Sequence, residues 1–368
     1  MKKALARVIS AVLVTQSVFL TTSCGSEKSS SEYPYPELVG TQVNVFNWGE
    51  NISDGSDGSL DINAEFEKKY GITVNYTNYE SNEQMYTKLK SGAVSYDIVI
   101  PSDYMIERLI KEDMLKKLDM TKIPNYKNID DKYKNEPFDP NNEYSVPYTV
   151  GMVGLIYNKT MVEEAPDSWS VMWDEQYKDN ILTFNNPRDA FAIAQFLLGL
   201  DLNSTNKADW DAAKDKLLEQ NNVLQGRVMD EVFGKMEGGN AAIAPYYAGD
   251  FLTMKANNDD LEFVYPKEGV NIFIDSMCVP NSCQNYEAAL LYINFMLEPE
   301  IGLANAEYIC YASPNTTVVN NEEYSLKDSK ILYPSEEEMP KVQYFHDPDP
   351  EIRSYYESLW EEVVRGES

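Results

Sequence analysis

The strongest constraint on how this chain can fold is the order in which two hydrophobic periods alternate along it. Val43-Asn44-Val45-Phe46-Asn47-Trp48 has the two-residue period of a strand, and Leu60, Ala64, Phe66 and Tyr70 have helical spacing, which predicts a helix over about 59–69 that stops at Gly71. Strand 72–76, helix 83–91, strand 96–100 and helix 105–112 continue the alternation, with Asp103 reading as an acid of the loop between the last two. A second set follows: a helix near 172–176, strand 181–184, helices 189–199 and 208–221, and strand 241–244. Strands alternating with helices in this way imply an α/β fold with a mostly parallel sheet. Between the two sets runs an extended, glycine-punctuated stretch from Tyr144 to Tyr157 that suits a crossing between domains. The 368 residues, 43% of them hydrophobic, leave room for two domains with proper cores.

The run Asn271-Ile272-Phe273-Ile274-Asp275-Ser276-Met277-Cys278 reads as a largely buried strand that carries one acid. A carboxylate there loses hydration unless something cationic or hydrogen-bonding compensates. Phe273 lies two residues before Asp275, so both side chains share a face, an aromatic surface beside an anion. Two readings stay open: Asp275 caps a turn or bonds backbone amides, or it faces an organic cation. In open α/β sheets ligands sit beyond the carboxyl ends of strands. Trp48-Gly49-Glu50, Ser102-Asp103-Tyr104, Asn185 to Asp189, Tyr246-Tyr247 and Phe273 to Asp275 all fall near such ends.

The formal net charge of -29 repels a phosphate backbone and argues against a nucleic-acid partner. Lys2, Lys3 and Arg7 precede an apolar stretch from Val8 to Leu20 that is too short to span a membrane as a permanent helix, so residues 1–23 read as an export signal. Thr21-Thr22-Ser23-Cys24 resembles a bacterial lipoprotein signal, in which Cys24 carries the lipid; an ordinary secretory signal is the alternative. Residues 24–40 have a flexible tether's composition. Cys278, Cys283 and Cys310 show no metal spacing; one pair of them could form a disulfide, with nothing in the sequence to say which, and three free thiols are the alternative. Asp54, Asp57 and Asp61 lack the alternate-residue spacing of a calcium loop and read as a solvated turn.

Several stretches together resemble the spermidine/putrescine-binding proteins of bacterial ABC importers: Phe46 to Glu50, Tyr79 to Lys90, Tyr96 to Ser102, Pro137 to Asn142 and Tyr265 to Gly269. The resemblance runs from about residue 42 to the end. It implies a two-lobed periplasmic-binding-protein fold, each lobe a mixed sheet flanked by helices. Lobe 1 would take 41–152 and 275–318, lobe 2 would take 153–274 and 319–368, and crossings would lie near 151–154, 273–276 and 315–322. The family's pocket carries over onto Trp48, Glu50, Tyr104, Asn186, Asp189, Tyr246, Phe273, Asp275, Tyr311 and Gln343. Three positions depart from the pattern: Asn51 stands where relatives have tyrosine, Gly49 where they have threonine, and Asn186 where they have an acid. The implied partners are a polyamine, an ABC permease and, through the lipid, a membrane; the protein would be monomeric, with no cofactor or metal.

Elementary chemistry supports the same ligand class. An alkylammonium keeps its charge up to about pH 10.4, so a polyamine arrives as a di- or trication that needs paired carboxylates. Its methylenes want apolar walls, and aromatic faces add a cation–π attraction of roughly 0.5–2 kcal/mol per good contact. The competing class is a secreted glycosidase with paired carboxylates, since aromatic acidic clefts also hold sugars. Against it, the chain has one histidine, His346, and no nucleophile-elbow or phosphate-loop motif. A binding protein for an amino acid would need an arginine for the ligand carboxylate, and Arg188 is the only candidate nearby.

Overall fold

The computed structural model describes residues 30–366, so the expected signal peptide, Cys24 and the start of the tether lie outside the described residues. Its strands are β1 (Gln42–Trp48), β2 (Thr73–Tyr79), β3 (Ile98–Val99), β4 (Ser145–Asn158), β5 (Ile181–Phe184), β6 (Leu224–Val228), β7 (Ile243–Tyr247), β8 (Leu261–Val264), β9 (Val270–Cys278) and β10 (Val342–Gln343). They lie in the order β2-β1-β3-β9-β4-β7-β5-β6, with β10 on β9 and β8 on β4.

The two flanks are parallel, β1 with β2 and β3, and β5 with β6 and β7. The centre departs from the mostly parallel sheet expected: β9 runs antiparallel to β3 and β4, and β4 runs antiparallel to β7 and β8. The reason is that β4 and β9 cross the molecule in opposite directions. From Ser145 to Met152, β4 pairs with β9; from Val153 to Asn158 it pairs with β7 and β8. A strand that serves two sheets is covered along its whole length, and all fourteen residues of β4 are buried.

Local chemistry sets the helix ends that carry the site. Asp61 and Ser81 cap the helices Ile62–Tyr70 and Asn82–Ser91 by accepting from the amides of Ala64 and Gln84. Between 169 and 177 the expected helix is two short 3-10 turns, Trp169–Trp173 and Glu175–Tyr177, because Ser168 and Asp174 each turn back onto the amide two residues on. The tether expected to reach residue 40 is already turned at Ser30–Glu32 and Pro36–Leu38, and Tyr35 packs on Tyr70 with ring centroids 6.0 Å apart. On one side the core is an aromatic cluster of Phe66, Tyr70, Tyr292 and Phe295 behind β1. On the other, the helices Pro187–Leu198 and Lys207–Gln220 pack against the C-terminal helix Pro350–Arg365, where Tyr356 stacks on Trp210 at 4.9 Å. Cys278, Cys283 and Cys310 are free thiols.

Candidate ligand-binding cleft

The strand ends converge on a cleft whose empty space, counted out through its solvent-open mouth, is about 770 Å³. Nine of the ten residues expected in the pocket line it: Trp48, Glu50, Tyr104, Asn186, Asp189, Tyr246, Phe273, Asp275 and Tyr311. The tenth, Gln343, does not. It sits on β10 beside Asn271, where its side-chain Oε1 accepts from the Leu202 backbone N–H at 3.2 Å.

Asp275 is 5% exposed on β9, and its bonding departs from the turn-cap and backbone-amide reading. It caps no turn and takes no backbone amide; Ser102 Oγ donates to one oxygen at 2.7 Å and Thr149 Oγ1 to the other at 3.2 Å. Two hydroxyls compensate a carboxylate only partly, and burial pushes the Asp275 carboxyl up to about 7. Phe273 reaches the same cleft because of Gly151, its partner across the β4–β9 ladder. A β-carbon on residue 151 would lie 2.2 Å from Phe273 Cζ, so the ring occupies the space a side chain would need.

Asp189 follows from the start of its helix. Asn186 is the N-cap of Pro187–Leu198; its amide oxygen accepts from the Asp189 backbone N–H at 3.3 Å and its Nδ2 donates to Asp189 Oδ2 at 2.6 Å. Tyr247 OH donates to the same oxygen at 2.8 Å. Burial still prevails and pushes Asp189 up to about 6. Asn186 thus lines the cleft with its amide committed to Asp189.

The walls are aromatic. Tyr247 meets Phe273 edge to face at 5.4 Å, Phe273 lies 6.5 Å from Tyr311, and Tyr246 lies 4.9 Å from Tyr247. Trp48 is held by a bond from its indole N–H to the Ile100 carbonyl at 2.9 Å and packs on Tyr79.

Three acids that the sequence reading did not single out also line the cleft: Glu80, Asp230 and Asp250. Asp250 stands in the first turn of the helix Ala248–Asn257, and burial pushes it up to about 8, with the charges of Asp230, Glu50 and Asp275 adding to the effect against a bond from Tyr311. Arg188 and Asp103 are both nearly fully buried. Arg188 is 2% exposed, and its guanidinium lies over the Phe345 ring at 4.3 Å while Nη2 donates to Asn203 Oδ1 and the His346 carbonyl. Through Nη2 it braces the C-terminal segment, while Nε and Nη1 are buried without a hydrogen-bond partner in the lining of the cleft. Asp103, read as a loop acid, is instead the first residue of the helix Asp103–Lys111 and is 2% exposed. It accepts from the amides of Tyr104 at 2.7 Å and Ile274 at 3.3 Å, bonds that hold the helix start against β9. Among the described residues no group of three histidines, cysteines or acids is placed to hold a metal ion.

A profile of the bacterial extracellular solute-binding proteins matches residues 61–332. The chain belongs to that family. The relatives of this solute-binding protein include the spermidine/putrescine-binding periplasmic protein of Salmonella typhimurium, 32% identical over 325 residues, 87% of this chain and 91% of the relative. The putrescine-binding periplasmic protein PotF of Escherichia coli is 27% identical, covering 88% and 91%. Among solved structures, a chain of Listeria monocytogenes assigned to a spermidine/putrescine ABC transporter superposes with a TM-score of 0.83 at 35% identity, covering 88% of this chain and 99% of that one. The substrate-binding protein PotD of Streptococcus pneumoniae gives 0.73 at 35% identity, covering 89% and 99%.

Proposed function

We propose that this solute-binding protein captures a polyamine, spermidine or putrescine, outside the cytoplasm and hands it to an ABC permease without chemically changing it. The observation that carries this reading is the pairing of aromatic walls with three carboxyls, Asp189, Asp250 and Asp275, all raised by burial, which Arg188 in the cleft lining offsets only in part and only at Asp189. A ligand that brings several ammonium groups joined by methylenes matches both features, and the names of the relatives point to the same class. The aromatics supply hydrophobic contact and cation–π attraction, and the acids supply charge.

In this reading one lobe comprises 41–152 and 275–318 and the other 153–274 and 319–368. Glu50 of the first and Asp189 of the second hold one polycation, so closure gains contacts that an open form lacks. The change of partners along β4 after Met152 supports that boundary. Residues 1–23 are removed on export, lipidated Cys24 anchors a monomer to the membrane, and the permease reads the closed form.

The test is a thermal-shift panel of putrescine, cadaverine, spermidine, spermine and amino acids, with a glycoside turnover assay beside it. A polyamine at about 100 times its dissociation constant is expected to add roughly 2.7 kcal/mol of stability. Stabilisation by none of the polyamines, or turnover of a glycoside, defeats the proposal.

A further inference from the structure

Asp230 occupies the N-cap position of the helix Glu231–Glu237, yet its carboxylate makes no capping bond. An aspartate there ordinarily turns back onto the first-turn amides. Here Glu231 reaches back instead and accepts from the Met229 amide at 3.1 Å. The Asp230 carboxylate turns the other way, into the rim of the cleft, where Tyr246 OH lies 3.4 Å from Oδ1. Across the cleft stands Gly49, on the chain leaving β1. A β-carbon built on Gly49 would be 3.0 Å from Asp230 Oδ2, tighter than ordinary packing allows. Asp230 comes this close because residue 49 has no side chain.

The acids of the cleft therefore differ in setting. Asp189 is deep, bonded by Asn186 and Tyr247, with Arg188 beside it in sequence. Asp275 lies on the floor. Asp230, Glu50 and Glu80 are the exposed acids of the lining. We infer that Asp230, admitted by the bare backbone of Gly49, is a specificity-determining residue that pairs with the additional ammonium of a triamine and so favours triamines over diamines. The inference rests on the polyamine reading. A diamine has two charges, which the inner acids Asp189, Asp250 and Asp275 suffice to match. A triamine is longer as well as more highly charged, so one of its ammonium groups reaches the exposed part of the lining, where Asp230 stands with its carboxylate free of a capping bond.

Isothermal titration of spermidine and putrescine into the wild type, Asp230→Asn and Gly49→Thr tests this. The expected result is a loss of spermidine affinity of about 3- to 5-fold in Asp230→Asn with putrescine changed less than about 1.5-fold, the size appropriate to a solvent-reached pair. Gly49→Thr pushes the same carboxylate away without altering its chemistry and is expected to change the ratio in the same direction. It carries the test alone if Asp230→Asn does not fold. The difference should shrink in high salt, as an exposed charge pair requires. An unchanged spermidine-to-putrescine ratio in both variants, with the wild type binding both amines, overturns the inference and leaves the polyamine reading intact. A wild type that binds neither amine brings down both.

Discussion

Asp275 and Asp103 sit in neighbouring segments, both nearly fully buried, and differ in what they bond. Asp275 accepts two side-chain hydroxyls and faces the cleft; Asp103 accepts two backbone amides and does not line it. Asp275→Asn is therefore expected to weaken polyamine binding by about 3–5 kcal/mol, the cost of removing one partner of a buried ion pair, while leaving the ligand-free fold intact. Asp103→Asn turns an amide donor toward the Ile274 N–H. It is expected to lower stability by about 1–3 kcal/mol and change affinity little. Denaturant titration and calorimetry on the two variants separate the effects, and equal losses of affinity would mean that the cleft is misassigned. Asp275 was legible in the sequence because an acid interrupts an apolar alternation there. Asp103 was not, since the sequence beside a helix start does not say whether an acid faces water or a neighbouring strand. Asp250 and Asp230 escaped notice because each lies at the start of a helix whose residues, such as Ala248-Gly249-Asp250 and Glu231-Val232-Phe233-Gly234, carry no clean amphipathic stripe. Gln343 fell on a two-residue strand whose side-chain direction only the pairing with β9 fixes.

At the scale of elements, the β4–β9 ladder is the frame on which the pocket hangs. The glycine punctuation of β4 was visible in the sequence, but its cause was not, because it lies on neighbouring strands: Gly151 makes room for Phe273 of β9 and Gly154 for Phe263 of β8. Gly151→Ala would put a β-carbon in the Phe273 ring. It is expected to destabilise the protein by about 1–3 kcal/mol, the usual cost of overpacking, and to weaken polyamine binding because Phe273 must leave the wall. A variant that unfolds at the wild-type denaturant midpoint and binds normally would contradict this account of the ladder. The flanking βα units were readable from periodicity because each is local. The antiparallel centre was not, since the direction in which a crossing strand runs depends on where the chain has already been. The turns at 169–177 defeated the helix reading for a local reason, as Ser168 and Asp174 bond to nearby amides in competition with helical bonds.

For the whole molecule, the raised acids tie stability and binding to pH with a fixed sign. Unfolded carboxyls titrate near 3.9, whereas Asp189, Asp275 and Asp250 in the ligand-free fold titrate at about 6, 7 and 8. Between those values the folded state holds more protons than the unfolded state. The stability these protons contribute is fully present below about pH 3.9 and is lost as pH rises through the folded values. The ligand-free protein is therefore expected to melt at lower temperature at pH 8 than at pH 5. Self-repulsion in a chain of net charge -29 pushes in the same direction, so the specific signal is the difference between wild type and Asp275→Asn, which removes one of the titrating groups. A bound polyamine reverses the balance. Its ammonium groups stay charged throughout this window, favour the ionised carboxylates and release their protons. Affinity must then rise from pH 5.5 to pH 8, and the calorimetric enthalpy must vary with the ionisation heat of the buffer in proportion to the protons released. Asp275→Asn should flatten both dependences around pH 7. Affinity that is independent of pH, or no proton release in any buffer, would show that the ligand does not contact these carboxyls, whatever else it touches.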